Sequence, residues 1–429
     1  MTQFDFLGPR SRPSLGRWIP LSFQHVFAMF GATILVPILT GLDPATALFT
    51  AGTGTLLYIL ITGAKVPAFL GSSFAFIAPL IAVSAAYGVP FAMGGAIASG
   101  LFYCLVAFII KFFGTAWLDK AMPPVVTGSV IIVIGLILAP VAINMASRVN
   151  PYDPATYSLV YLSIAAFTLA VTVTVNIFLK GFFSAIPILI GLAAGYLFTL
   201  VMGSFFPAYA LIDFRVVHDA AWFGLPSFQA PRFNVIVMLT FVIVSLATIC
   251  EHLGDMVVIS KVVGQNFYKN PGLHRTLAGD GLATAWAALW GGPPSTTYGE
   301  NIGVMAITRV YSVWVIGGAA VIAVFLSLFR KFGALIQTIP TPVLGGISML
   351  LFGIIASSGL RTLVESGVDY KDKRNLTISS VILVVGIGGG RLAFEITGGI
   401  EFQLAGVALA TVAGITLNLV FPANPNRGK

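Results

Sequence analysis

Four of the fifteen carboxylates in this 429-residue sequence fall inside strongly apolar stretches: Glu251, Asp255, Asp280 and Glu300. A charged side chain at the centre of a bilayer costs about 2.5–3.5 kcal/mol on insertion scales, so residues of this kind are functional candidates by default. Glu251 and Asp255 are four residues apart, which places them on one face of a helix. Two carboxylates that close do not readily ionise together, so the pair is suited to carry a proton. For Asp255 and Asp280 the sequence leaves two readings open. They are working groups, or they are carboxylates solvated near the cytoplasmic ends of their helices.

Histidines add less. His25 follows Gln24 in the middle of the first apolar stretch, and His252 follows Glu251, but no spacing suits a metal. His25 either orients a neighbouring polar group or simply packs between helices. His218 and His274 fall in polar connections. The run Gly386-Ile387-Gly388-Gly389-Gly390-Arg391 puts Arg391 where a dinucleotide fingerprint needs glycine, and no strand–helix context surrounds it. Walker A, GxSxG, HExxH and CxxC patterns are absent. The chain is therefore not expected to be an ATP-driven pump or an enzyme of those kinds, and no cofactor is called for.

What must position these carboxylates is a set of membrane spans. Hydrophobic residues make up 57% of the chain, charged residues only 9%, and mean hydropathy is +0.96. A soluble domain carries about 25% charge, so lipid has to solvate most of this surface. A span needs roughly 20 mostly apolar residues. Fourteen apolar segments are expected, centred near Phe27, Leu56, Phe76, Phe102, Ile134, Leu169, Leu192, Leu246, Ala285, Gly303, Ala320, Leu350, Val384 and Val412. The fold class expected is an all-α polytopic membrane protein.

The net charge of +8 follows topology rather than nucleic-acid binding. With the N-terminus cytoplasmic, Arg10, Arg12, Arg17, Lys111, Lys120, Lys261, Lys269, Arg275, Lys371, Lys373 and Arg374 all lie inside, as the positive-inside rule requires. That arrangement also puts the C-terminus in the cytoplasm and the Gly203–Arg232 connection outside. Cys104 and Cys250 lie in apolar segments and read as structural thiols. The first apolar stretch, Trp18 to Leu39, lacks a small-residue cleavage site and reads as a span, not a cleavable signal.

Two segments are broken in matching ways. Pro67 to Pro79 encloses Gly71-Ser72-Ser73-Phe74-Ala75-Phe76, and Gly291-Gly292-Pro293-Pro294-Ser295-Thr296-Thr297-Tyr298-Gly299 precedes a short run ending at Thr308-Arg309. Backbone unpaired at membrane depth has to face protein or a water-filled cavity. Interrupted segments in corresponding positions of two halves point to a substrate site at the midplane. A repeat supports two such halves: Phe113-Gly114, Pro123-Pro124-Val125, Gly128 and Gly135 recur as Phe332-Gly333, Thr341-Pro342-Val343, Gly346 and Gly353. Seven segments per half would invert the second half relative to the first.

The stretch Glu300-Asn301-Ile302-Gly303-Val304-Met305-Ala306-Ile307-Thr308-Arg309 resembles the signature of the nucleobase–ascorbate transporter family. Gln24-His25, the third-segment run Gly71 to Phe76, and Glu251-His252-Leu253-Gly254 resemble further motifs of that family, in its order, from about Pro20 to Phe421. Thr297-Tyr298-Gly299-Glu300 and Tyr311-Ser312-Val313-Trp314-Val315-Ile316-Gly317-Gly318 are most similar to its bacterial uracil-transporting members. The resemblance implies fourteen spans in two inverted seven-segment repeats, with short extended third and tenth segments. It implies a core of residues 15–115 and 232–333 and a gate of residues 116–231 and 334–429. It also implies homodimers, an elevator-like movement, and proton-coupled import through the inner membrane.

By that resemblance Glu251 and Glu300 bind substrate by side chain, and Phe74 and Gly299 by backbone N–H. Tyr298 and Ala32 lie near the ligand ring, and Phe352 is a gate-side contact. Proton coupling falls to Glu251, Asp255, Glu300 and His25. The chemistry suits uracil: two carboxylates accept from its N–H groups while backbone N–H groups donate to its carbonyls. One departure matters. Uracil-transporting members tend to have His where this chain has Asp255, as purine members do, which leaves xanthine or another purine as the alternative substrate. An anion exchanger on a related fold would want a cation facing the broken segments, and none occurs between Phe74 and Phe76 or Tyr298 and Gly303.

Overall fold

The computed structural model describes residues 7–183, 186–396 and 400–421. Helices dominate. In chain order the main ones are α1 (Leu15–Thr40), α2 (Pro44–Ile61), α3 (Ile77–Tyr87), α4 (Val89–Phe113), α5 (Pro124–Leu136), α6 (Leu159–Phe178) and α7 (Pro187–Phe205). They continue as α8 (Val235–Val263), α9 (Leu273–Leu289), α10 (Gly299–Thr308), α11 (Val313–Ser327), α12 (Thr341–Glu365), α13 (Lys373–Ile387) and α14 (Gly406–Val420). Short helices at Ala116–Ala121, Ala139–Ser147, Arg215–Asp219 and Arg330–Gln337 connect them.

Among the described residues eight helices are long and apolar enough to cross a bilayer: α1, α2, α4, α5 with its continuation to Ser147, α6, α7, α8 and α12. Shorter apolar helices cover Phe74–Tyr87, Val313–Ser327 and Gly406–Val420. The chain is thus a mostly helical, multi-pass membrane protein.

Local sequence sets the helix ends. Asp43 caps α2 by accepting from Ala45 N, with Pro44 at the first helical position. Asn234 caps α8 by accepting from Ile236 N and Val237 N. Gly41 and Gly264, both left-handed, close α1 and α8. Packing then relies on small residues. α4 runs along α9 so closely that a Cβ on Gly100 would stand 2.4 Å from the Gly281 carbonyl oxygen. In lipid, where apolar contact alone gives no preference for protein over solvent, such close backbone approach drives association. α2 packs on α9 and α11, and α1 on α11, while α12 packs on α5 and α6, and α13 on α14.

Strands occur in two places. β1 (Leu70–Ser72) pairs antiparallel with β2 (Ser295–Thr297), Gly71 opposite Thr296, in the two broken segments. β3 (Arg391–Ile396) and β4 (Ile400–Ala405) form a hairpin between α13 and α14 with Leu392 opposite Leu404. An all-α expectation omits this hairpin. Its period-two alternation, Leu392 and Ile396 against Arg391 and Glu395, is the strand signature that explains it.

The polar connection after α7 is not a free loop. Ser227 N donates to Asp43 Oδ2, Gln229 N to Trp290 O and Arg232 N to Pro90 O, which stitches it across three helix corners.

Candidate functional site

The β1–β2 pair sets two helix starts side by side. Ser73 N donates to Pro294 O and Tyr298 N to Phe69 O, so each segment is pinned to the other just before its helix begins. A 3₁₀ turn at Phe74–Phe76 leads into α3, and α10 starts at Gly299. The first N–H groups of a helix have no partner within it, so both starts offer donors in the middle of the bundle. Tyr298 locks the arrangement: its hydroxyl donates to Ser72 O at 3.3 Å and stands 3.3 Å from Thr33 Oγ1 on α1. A Cβ on Gly71 would lie 2.5 Å from the Tyr298 ring, so only glycine leaves room for it.

A cavity of about 350 Å³ opens at these helix starts. Phe74, Tyr298, Gly299 and Glu300 line it from the broken segments, and Glu251 and Asp255 from α8. The opposite wall is formed by Ile131 of α5 and by Ile354, Ile355, Ser357, Ser358 and Arg361 of α12. Glu251 and Thr296 both line this cavity, with Glu251 Oε2 and the Thr296 hydroxyl shielded from solvent and close enough to engage each other. Asp255 is engaged already, accepting from Thr297 Oγ1 at 2.7 Å.

The remaining expected residues sit behind this surface. His25 is buried, and Asn301 Nδ2 donates to its Nδ1 and to its carbonyl oxygen, both at 3.1 Å. It orients the residue next to Glu300. Ala32 is fully buried on α1 and is not part of the cavity wall. Phe352 packs edge-on against Phe74, ring centroids 5.7 Å apart, and so backs the wall from α12.

Asp280 is not solvated. Its side chain is wholly buried, with His252 Nδ1 at 3.0 Å from Oδ2 and Thr276 Oγ1 at 3.1 Å from His252 Nε2. This pair lies on α8 and α9, directly behind Glu251 in sequence. The Glu251-His252 dipeptide was the only signal for it.

Sequence reasoning missed the roles of Thr296 and Thr297, although it singled out the run containing them. It also missed Arg361, a cation that lines the cavity from α12 and lies 3.7 Å from Glu365. No local motif marks it, because its proximity depends on how α12 packs.

Membrane-crossing helices around a central cavity, with two interrupted segments meeting at its floor, define a multi-pass membrane transporter. The profile of the permease family Xan_ur_permease matches residues 16–393. The chain belongs to that family, the nucleobase–ascorbate transporters, and is a transporter rather than an enzyme. It is 52% identical over 423 residues to the uracil permease of Bacillus subtilis strain 168, covering 97% of this chain and 95% of the relative. It is 47% identical over 415 residues to the uracil permease of Escherichia coli K12, covering 97% and 94%. The transmembrane domain of the cyanobacterial bicarbonate transporter BicA shares the fold, with a TM-score of 0.61 at 16% identity over 82% of this chain and 96% of that one.

Proposed function

We propose that the chain imports uracil across the cytoplasmic membrane, coupled to protons, with Glu251 and Glu300 accepting from the N–H groups of the base. The observation that carries this reading is the convergence of both carboxylates with the two helix starts on one cavity. Backbone N–H groups at Phe74 and Gly299 then donate to the carbonyls, and Tyr298 lies beside the ring. Half of the hydrogen-bonding pattern is acceptors and half donors, which matches a neutral pyrimidine-dione. Relatives named uracil permeases at about half identity, over nearly the full length, support the substrate.

The finer architecture belongs to the same proposal: fourteen crossings in two inverted repeats of seven, with both termini cytoplasmic. The helix pairings support a core of residues 15–115 and 232–333 moving against a gate of residues 116–231 and 334–429. The carboxyl-rich wall belongs to that core, and the wall of Ile131, Ile354, Ile355 and Arg361 to that gate. Ala32 and Phe352 shape the pocket from behind, and His25 fixes Asn301. The coupling ion is a proton carried among Glu251, Asp255 and Glu300, with no other cofactor, and the working unit is a homodimer in lipid. A neutral base gains nothing from membrane voltage, whereas a co-transported proton supplies both voltage and pH drive.

Uptake of radiolabelled uracil in permease-null cells tests this, with unlabelled xanthine, hypoxanthine and thymine as competitors. Protonophore-sensitive uracil uptake that xanthine does not compete supports the reading. Strong competition by xanthine would favour the purine alternative that Asp255 raises.

A further inference from the structure

At the end of the bundle that carries the N-terminal segment, a second cavity of about 550 Å³ is lined by Arg10, Ser11, Lys65, Gln265 and Asn270, with Gly8 and Pro9. Three separate parts of the chain meet there: the segment before α1, the α2–β1 connection and the α8–α9 connection. The first is held in place rather than loose. Tyr311 N donates to Leu7 O, Val313 N to Pro9 O, and Ser312 Oγ to Ser11 O. The guanidinium of neighbouring Arg12 lies 5.0 Å from the Trp314 ring centroid. Lys65 is fixed as well, its Nζ donating to Asn270 Oδ1 at 2.6 Å.

Among the described residues no carboxylate lines this cavity, and none lies at ion-pair distance from Arg10 or Lys65. The two helix ends beside the cavity are capped by backbone: Gly63 N and Ala64 N close the end of α2, and Gly264 N and Gln265 N both reach Ser260 O at the end of α8. Arg10, Ser11, Lys65, Gln265 and Asn270 come from separate connections, as positive-inside cations do, but here they line one concavity.

We propose that this cavity binds a phosphate-bearing anion. A tetrahedral oxyanion takes several charge-assisted hydrogen bonds at once, which suits Arg10 and Lys65 together. Bound there, it bridges the N-terminal segment to two connections that hold α2, α8 and α9. The same chemistry is offered by a phospholipid headgroup at the membrane surface and by a soluble phosphate.

Thermal unfolding of the purified full chain separates the possibilities. Inorganic phosphate is titrated in detergent against chloride at equal ionic strength, and phosphatidylglycerol nanodiscs are compared with phosphatidylcholine nanodiscs. Wild type gains several degrees with at least one probe. The double variant Arg10→Gln, Lys65→Gln loses most of that gain, with half-saturation at least fivefold higher. The charge-matched control Lys371→Gln, Lys373→Gln keeps it. A response to phosphatidylglycerol alone assigns the headgroup, and a response to phosphate alone assigns the soluble anion. The site is overturned by no response to either probe, by an unchanged double variant, or by a control that loses as much.

Discussion

The two broken segments share one plan and divide its labour unequally. Each is a three-residue strand leading into a short helix, and the strands pair with each other. Around β1 and α3 the design is steric. Between Val66 and Ile110 there is no Asp, Glu, Lys, Arg or His. Phe74 packs on Phe352, Phe76 stacks on Phe241 at 5.7 Å, and Gly71 lies under Tyr298. Around β2 and α10 the design is polar. Thr297 holds Asp255, Asn301 holds His25, and Glu300 faces the cavity. Nothing lies within 4 Å of a Cβ placed on Gly299 or Gly303. One copy of the motif serves as a packed scaffold, and the other spends its packing freedom on chemistry.

Removing the chemistry should cost most. Glu300→Gln and Glu251→Gln are each expected to reduce uracil uptake by about 10- to 100-fold, the cost of weakening hydrogen bonds to a charged acceptor by roughly 1.5–3 kcal/mol. Membrane abundance should stay near wild type. Quantitative immunoblotting beside initial-rate uptake checks both, and near-normal uptake by either variant would remove that residue from the site.

The scaffold half should respond through stability instead. Gly71→Ala forces a methyl against the Tyr298 ring, and overpacking of this kind costs about 1–3 kcal/mol. The purified variant should melt several degrees lower. Gly303→Ala meets no neighbour, so its melting point should hold while the KM for uracil rises as the cavity narrows. If the two alanines behave alike in the melting assay, the contrast between the segments fails.

Much of this division was legible in residue types. Interrupted helices announce themselves through Gly and Pro, and a carboxylate in an apolar run is conspicuous, so Glu251, Glu300 and both broken segments stood out. Three-dimensional partners did not. Asp280 lies near the end of an apolar stretch, and nothing in its neighbourhood says that His252 on another helix covers it. Arg361 reads as a helix-end cation until α12 is packed against the cavity. The β3–β4 hairpin was hidden for a different reason: its alternation follows a glycine run that drew attention as a failed nucleotide motif.

A smaller effect sharpens the polar side. Asn301→Ala removes both bonds to His25 without touching the cavity wall, since Asn301 is fully buried. A loss of about 1–2 kcal/mol is expected from an unpaired buried group. It should show as a lower melting point together with a raised KM, because the start of α10 is less firmly aimed. A melting shift with an unchanged KM would make the His25–Asn301 contact purely structural.

The smallest expected change in rate, and the most specific, concerns Asp255. It shares a helix face with Glu251 by spacing, lines the same cavity, and accepts from Thr297. Like-charge repulsion between two carboxylates in a poorly solvated site favours holding one proton between them. On the proposed site, uracil bound at Glu251 would change the free energy of that proton, and linkage then requires the proton to change uracil affinity by the same factor. On the proposed proton coupling, wild-type uptake should therefore rise as external pH falls and should collapse with a protonophore. Asp255→Asn should retain measurable uptake, since Glu251 and Glu300 still face the substrate, but lose much of the pH dependence. Thr297→Val, which leaves the carboxyl in place and removes its donor, should shift the pH profile without flattening it. An Asp255→Asn profile that overlays wild type, with full protonophore sensitivity, would place the proton on Glu251 or Glu300 alone. The carboxylate pair would then be a consequence of Asp255 anchoring β2 through Thr297, and the polar segment would owe its geometry, not its coupling, to that residue.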